Sequence, residues 1–298
     1  MALAQAHEVR DRLRAAHSLA EGQIEIVIIK TTGDSIQDRP LSEAGGKGLF
    51  TKELDIALMR DDVDIAVHSA KDLPTLLPDA IAIIGYLPRE DVRDAWISQL
   101  SRHPRDLAPG AIVGTASLRR GAMVKRLRPD LEIVLLRGNV QTRLAKVAAG
   151  EVAATLLALA GLKRLGLEKE ASALLDSEDF VPAVGQGAIA ITARAGDEAT
   201  NTFVSPILDK ATATALVAER AFLRVLDGSC RTPIGGYARL TGSELAFHGL
   251  ILRPDGSQAC ETRLAGPLNE AEALGERAGR ELLSRVPPDF FQANFLKG

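Results

Sequence analysis

The chain has 298 residues, of which 46% are hydrophobic and 25% charged, and its formal net charge is −3. These are the values of an ordinary globular protein of about two domains, and they exclude a disordered chain, a collagen and a coiled coil. No apolar run approaches the ~18 residues of a membrane span, and residues 1–18 carry charges where a signal peptide would be apolar. We therefore expect a cytoplasmic protein that does not associate with membranes.

The N-terminal part alternates predicted helices with short apolar runs of strand length. Helices are predicted over residues 8–19 and 48–60, and strands over residues 24–29, 64–67 and 81–86. Helices that alternate with buried strands predict an α/β unit with a parallel sheet.

The same pattern restarts after the charged, proline-containing segment 88–94. Strands are predicted over 111–113, 133–136 and 154–158, and helices over 117–128, 140–149 and 161–165. One more strand, 188–193, follows a glycine-containing segment and could return to the first unit. Two lobes joined by two crossings would result, and such lobes close on ligands held between them.

The last part of the chain predicts a small α+β unit. Its predicted elements are a helix over 211–226, strands over 234–240, 244–252 and 258–264 joined by tight turns, and a helix over 270–284. Neighbouring strands with tight turns are antiparallel. The predicted domains are residues 1–88 with 188–205, residues 93–182, and residues 209–298.

Two cysteines are too few for a disulfide framework, so each is interpreted as a single thiol. Cys230 lies in a Gly-Ser-Cys-Arg loop after a helix, where Arg231 favours the thiolate and the loop leaves it accessible. Cys260 lies in a predicted strand and is expected to be an inert, buried thiol.

Arginines are concentrated between residues 102 and 143. This stretch contains eight arginines and Lys125 against three acidic residues, a balance of +6. Residues 114–120 stand where a strand turns into a helix, so backbone N–H groups, hydroxyls and two guanidinium groups would converge on an anion. A solvated basic turn is the simpler alternative. Arg137, Asn139 and Arg143 follow the next strand and would lie at the same sheet edge.

Nucleic acid is an obvious partner for an arginine cluster, but residues 102–143 contain no Phe, Tyr or Trp. Single-strand binders normally combine their basic groove with aromatic stacking platforms. The planar guanidinium fork matches carboxylates, because it can bind both oxygens at once. We therefore expect a small polycarboxylate ligand and no nucleic acid.

Two further segments could contribute chemistry. The glycine loop at residues 45–52 lacks the Walker spacing, so a flexible lid or a plain turn is favoured over a nucleotide loop. Asp72, at the end of a strand, could perform acid–base work in the cleft, although a salt bridge with Lys71 or a helix cap is an equally good interpretation. His68 is expected to be a packing residue.

Seven segments in order resemble the porphobilinogen deaminase, or hydroxymethylbilane synthase, family over nearly the whole chain. They are GGKGLF at 45–50, DIAVHSAKD at 64–72, GTASLRR at 114–120, LRGNVQTR at 136–143, AGLKRLG at 160–166, PAVGQGA at 182–188 and GSCRTPIG at 228–235. The resemblance implies two domains like those of periplasmic binding proteins, plus a third domain that bears the cysteine. It also implies a monomer.

The resemblance further implies a dipyrromethane cofactor attached to Cys230 through a thioether. Four porphobilinogen units would be added to it head to tail, each with loss of ammonia, before water releases hydroxymethylbilane. Asp72 matches the catalytic carboxylate, which stabilises the azafulvene cation. Positions that match cofactor contacts are Asp72, Lys71, Ser117, Arg119, Arg120 and Gly138. Positions that match substrate contacts, or the lid and hinge, are Lys47, Phe50, Arg137, Arg143, Arg164 and Gln186.

Two alternatives and one departure from the family accompany this interpretation. A non-catalytic anion- or solute-binding module of the same fold would leave Cys230 unmodified, and a nucleic-acid-binding regulator is a distant third. Family members usually open with a strand and a T-R-x-S-P-L-A segment, whereas residues 1–7 here resemble the start of the following helix. We therefore expect a truncated form whose first domain lacks a strand and is weakened in stability and activity.

Overall fold

The computed structural model describes residues 1–32, 51–226, 233–287 and 290. Within these residues the helices are α1 Ala2–His17, α2 Lys52–Met59, α3 Leu118–Leu127, α4 Val140–Ala148, α5 Leu159–Arg164, α6 Glu198–Val204, α7 Lys210–Val225 and α8 Ala271–Arg285. The strands are β1 Ala66–Ser69, β2 Ile81–Tyr86, β3 Asp94–Ile97, β4 Ile112–Gly114, β5 Glu132–Val134, β6 Ala154–Ala158, β7 Ala173–Leu174, β8 Ile189–Arg194, β9 Ile234–Thr241, β10 Glu244–Leu252 and β11 Ala259–Pro267.

The first unit is built on a three-stranded sheet in the order β1-β8-β2. The prediction that the strand after residue 187 returns to the first unit is confirmed, because β8 pairs with both β1 and β2. The prediction of a parallel sheet is wrong here. β8 enters from the second unit and runs antiparallel to both neighbours.

The predicted strand at residues 24–29 is also wrong. This segment belongs to no ladder in the part of the chain that the structure describes. Val27 and Ile28 are 50% and 77% exposed, while Ile24 packs against the core of the first unit without pairing to any strand that the structure describes. The expectation of a missing first strand stays a prediction.

The second unit has a mixed five-stranded sheet in the order β5-β4-β6-β3-β7. β4 is parallel to β5 and β6, as predicted, while β3 is antiparallel to β6 and β7. β3 was not predicted because its first residue was assigned to the charged segment. Its Asp-Ala-Trp-Ile sequence is buried at every position, with Trp96 in the core of the unit.

The third unit is an antiparallel sheet, ordered β11-β10-β9, covered by α7 and α8. The two helices approach closely at Gly275, where a Cβ would lie 2.0 Å from the carbonyl oxygen of Ala218. Phe222 is fully buried between this sheet and the first unit, in a core that also contains Ala70 and Tyr86. The predicted fold class, two α/β units joined by two crossings and a small α+β unit, is confirmed.

A buried carboxylate of the third unit holds both crossings. Glu219 on α7 is fully buried and receives Arg89 of the first crossing through both oxygens, at 2.6 and 3.1 Å. The backbone N–H groups of Gly185, in the second crossing, and Ala238, in β9, donate to the same carboxylate at 2.7 and 2.9 Å. The two crossings and β9 are thus tied to one side chain.

The predicted domain boundaries stay a prediction. None of the helices that the structure describes is long and apolar enough to cross a membrane.

Candidate active site

Lys71 and Asp72 follow β1 directly, in the short 3₁₀ turn Ala70–Asp72. Both side chains are accessible to solvent, yet protein surrounds them closely. Desolvation raises the pKa of Asp72, and this effect outweighs the positive charges of Lys71 and Arg120, which lower it. Desolvation and the charge of Arg120 lower the pKa of Lys71 to about 8. Residues of the first and second units therefore meet at this point.

The arginine helix α3 begins where the sequence predicted an anion site. Ser117 is its N-cap, and the Ser117 hydroxyl accepts the N–H of Arg120 at 3.4 Å. Arg119 and Arg120 lie in the first turn and are 4% and 6% exposed. The alternative of a solvated basic turn is wrong for these two side chains, because both are buried.

Asp94, the first residue of β3, is the partner of both arginines. Its carboxylate accepts Arg119 Nη2 at 2.7 Å and Arg120 Nε and Nη2 at 3.0 and 2.6 Å. Burial opposes ionisation, but the charges of the two arginines and their hydrogen bonds hold the pKa of Asp94 well below its usual range. The sequence analysis did not identify Asp94 as a site residue. The one indication in the sequence is that an acidic residue directly precedes the apolar run 95–97.

One donor of this cluster is left over. Arg119 also donates from Nη1 to the carbonyl of Val181, at 2.7 Å, and Arg120 to that of Leu156, at 3.0 Å. Arg119 Nε is buried and has no hydrogen-bond partner among the residues described. The two guanidinium groups are thus held in fixed positions, and Arg119 Nε is the one nitrogen of this pair that is buried without a partner in the described part of the chain.

The next sheet edge carries a second group of arginines. Gly138 has a φ of +116°, and a Cβ there would lie 2.8 Å from Thr142 Cγ2, so the turn requires glycine. Asn139 caps α4, and Arg143 Nε donates to the carbonyl of Gly138 at 2.9 Å. Burial and the positive charges of Arg120 and Arg137 lower the pKa of Arg143 to about 10.

The charges that act on Arg143 are therefore like charges. No carboxylate of the described residues offsets them in that shift. Burial beside two like charges disfavours the charged form of Arg143, so an anion bound there would be stabilised by supplying negative charge.

Arg164 and Gln186 lie at the crossings between the two units. Arg164 pairs with Glu8 of α1, Nε to Oε2 at 3.1 Å, and donates to the carbonyl of Gly187 at 3.0 Å. Gln186 is 1% exposed and donates to the carbonyl of Val92 and to Asp94. The side chain of Gln186 thus joins the second crossing to the first.

Three predicted site residues, Lys47, Phe50 and Cys230, lie outside the described residues. Cys260 lies in β11 and is half-buried. His68 is a packing residue as expected, since it is buried beside Thr192 and desolvation lowers its pKa to about 4. Within the described ranges, no group of three or more His, Cys, Asp or Glu side chains is placed to hold a metal ion.

Two family models match the chain. The model described as "Porphobilinogen deaminase, dipyromethane cofactor binding domain" matches residues 1–202, and that described as "Porphobilinogen deaminase, C-terminal domain" matches residues 213–284.

Two curated relatives match over nearly the full length. The porphobilinogen deaminase of Nitrobacter hamburgensis is 58% identical over 291 residues, which cover 98% of this chain and 92% of the relative. That of Nitrobacter winogradskyi is 57% identical with the same coverage. Among solved structures, a nutrient binding protein from Burkholderia cenocepacia bound to methionine is 14% identical, with a TM-score of 0.41 over 67% of this chain and 86% of that one.

Proposed function

The chain belongs to the porphobilinogen deaminase family, transferases of tetrapyrrole biosynthesis, and on this premise we propose how its own residues carry out the family's reaction. The substrate is porphobilinogen, four molecules of which are joined head to tail with loss of ammonia to give hydroxymethylbilane. The cofactor is dipyrromethane, for which Cys230 is the proposed attachment residue. When bound, it supplies the primer to which the pyrrole units are added.

The residues of the cleft fit such a group, which carries several carboxylates. Arg143 is desolvated beside Arg120 and Arg137 without an offsetting carboxylate in the described part of the chain. A polycarboxylate would supply the offsetting negative charge beside Arg143, and this is the observation that carries the proposal.

Asp72 is the proposed catalytic residue. Its raised pKa brings protonation of the carboxylate closer to neutral pH, which suits a group that must both hold and release a proton. In its ionised form it stabilises positive charge that develops on the substrate as ammonia leaves. Lys71 keeps a cation beside it at neutral pH, because the pKa of Lys71 is about 8.

The pair of Arg119 and Arg120 contributes by being rigid. Asp94 and two backbone carbonyls hold both guanidinium groups in place before any ligand arrives. Their positions therefore need little reorganisation when a carboxylate binds, which is the condition for electrostatic stabilisation in a cleft.

The cofactor is tested on the intact protein. Its mass should exceed the sequence mass by one dipyrromethane, and acidic dimethylaminobenzaldehyde should give the colour of a dipyrrole. Cys230→Ala should abolish both signals and turnover, while Cys260→Ala, the matched control, should change neither. A fully active protein with a free Cys230 thiol would contradict the proposal.

The arginine cluster is tested separately. Arg143→Leu should lower the affinity for porphobilinogen or stall chain extension at fewer than four additions. Arg143→Lys should restore it incompletely, because the bidentate fork is lost. Arg102→Leu removes a charge from the exposed Arg102 and serves as the control. Wild-type KM values together with complete chain extension in both Arg143 variants would refute this role.

The alternative of a non-catalytic binding module is not favoured, because the curated relatives of high identity are named as the deaminase. Action as a monomer in the cytoplasm is also proposed, supported by the family's biosynthetic role. Light scattering at micromolar concentration tests the monomer, and fractionation of native cells tests the compartment.

A further inference from the structure

Helix α1 of the first unit and helix α5 of the second lie against each other. Glu8 on α1 pairs with Arg164 on α5, with 3.1 Å between Oε2 and Nε. At the N-terminal end of α1, a Cβ on Gly161 would lie 3.1 Å from Met1 Cε. A carboxylate of one unit therefore occupies an arginine of the other.

Both members of this pair have a second partner. Glu8 Oε1 is 3.2 Å from Arg12 Nη2, and Arg164 Nη2 donates to the carbonyl of Gly187 at 3.0 Å. The side chains are 27% and 10% exposed. If the pair separates, Glu8 keeps Arg12 and gains water, while Arg164 keeps its carbonyl bond.

Asp94 pairs with its arginines in a more buried setting than Glu8 does. That carboxylate is fully buried and serves two arginines, so separating it from either would leave charge unpaired in the interior. The contact between Glu8 and Arg164 is less buried and each member has a second partner, so it exchanges more readily than the contacts of Asp94.

We propose that Glu8 tunes substrate affinity, because it occupies Arg164 in this state and gives it up to a carboxylate of the incoming pyrrole. The proposal rests on the proposed function and on the role in substrate binding that the family resemblance implies for Arg164. A tethered carboxylate competes with the substrate for one guanidinium group. Glu8 therefore sets how tightly Arg164 holds substrate carboxylates.

Glu8→Gln tests the competition because glutamine keeps the shape and an acceptor but removes the charge. KM for porphobilinogen should fall two- to five-fold with kcat unchanged, a range that corresponds to about 0.4–1 kcal/mol for a partly exposed ion pair. The difference from wild type should shrink at high salt, because salt partly screens the carboxylate of Glu8, which is 27% exposed.

Asp11→Asn is the matched control. Asp11 lies on the same helix, pairs with Arg10 and is 57% exposed, so its loss changes the net charge equally without touching α5. Its KM should equal that of the wild type. In an Arg164→Gln background, Glu8→Gln should have no further effect on KM.

The outcomes distinguish a failure of the competition by Glu8 from a failure of the substrate-binding role of Arg164. If Arg164→Gln weakens substrate binding but Glu8→Gln leaves KM unchanged or raises it, the competition is refuted and the proposed function stands. A lower melting temperature for Glu8→Gln without a lower KM would also refute the competition, because it would show that the ion pair only stabilises the fold. If Arg164→Gln binds substrate like the wild type, the proposed role of Arg164 fails together with the inference.

Discussion

Replacing Asp94 with asparagine should destabilise the protein strongly. The substitution keeps the size of the side chain but removes the only negative charge recorded in an ion pair with Arg119 and Arg120 within the described residues. Both arginines would then stay buried with like charges facing each other. Breaking a buried ion pair in this way costs about 3–5 kcal/mol, a large fraction of the ~5–15 kcal/mol that stabilises a typical domain.

Urea and thermal unfolding followed by circular dichroism measure the loss, which should lower the melting temperature by roughly 10 °C. Asp91→Asn is the control, since Asp91 pairs with Arg93 in the same crossing at 2.7 Å and that arginine is 42% exposed. It should cost less than about 1 kcal/mol. Adding Arg119→Met to Asp94→Asn should recover part of the loss, because it removes one unpaired charge.

The pH dependence gives a second check. Because the pKa of Asp94 is lower in the folded protein than in the unfolded chain, its stabilisation is fully present above about pH 4 and is lost as the pH falls further. The stabilities of wild type and Asp94→Asn should therefore converge in acid. A difference below about 1 kcal/mol at pH 7, or one that does not shrink in acid, would refute the reasoning.

Three other predictions concern the cleft and the crossings. Asp72→Asn should fold normally and lose several orders of magnitude in kcat, while Asp72→Glu, which keeps the charge, should lose less; near-normal turnover of the asparagine variant would exclude the role. Because the pKa of Lys71 is about 8 and only its protonated form attracts carboxylates, KM for porphobilinogen should rise above pH 8. Lys71→Arg should abolish that rise, and an unchanged pH profile would contradict it. Glu219→Gln should speed hydrogen exchange at the amides of Gly185 and Ala238, which donate to this carboxylate, more than at the amide of Leu216 on the same helix. Unchanged protection from hydrogen exchange at both amides would argue against a role of Glu219 in holding the crossings and β9 together.

The elements that the sequence predicts well are those with a strong local pattern. Strand 81–86 is found at the predicted residues, and the helices predicted over 117–128 and 140–149 are found at 118–127 and 140–148. Each depends on alternation, capping or turn chemistry within a few residues.

The errors arise where distant residues decide the outcome. Residues 24–29 have strand propensity, yet a strand forms only when a neighbour pairs with it. The direction of β8 depends on its route back from the second unit. Asp94 looked like part of a charged linker, because its partners lie 25 and 26 residues further along the chain.

The same limit applies to the site. The sequence motifs predict that Arg119, Arg120 and Arg164 contact cofactor or substrate. They do not show which carboxylates these arginines pair with when no ligand is bound. In the structure, Arg119 and Arg120 pair with a fully buried carboxylate, whereas Arg164 pairs with a carboxylate that is 27% exposed. That distinction depends on burial and on second partners, which no spacing within the chain records.

The buried carboxylate of Glu219 links the third unit to both crossings and to β9. Along the chain, Glu219 precedes Cys230 and Ala238 follows it, and the two are joined by a hydrogen bond. The same carboxylate grips Arg89 and Gly185 in the two crossings about which the first two units would turn. Any rotation of the first two units about these crossings would therefore have to strain or break hydrogen bonds to one side chain of the third unit.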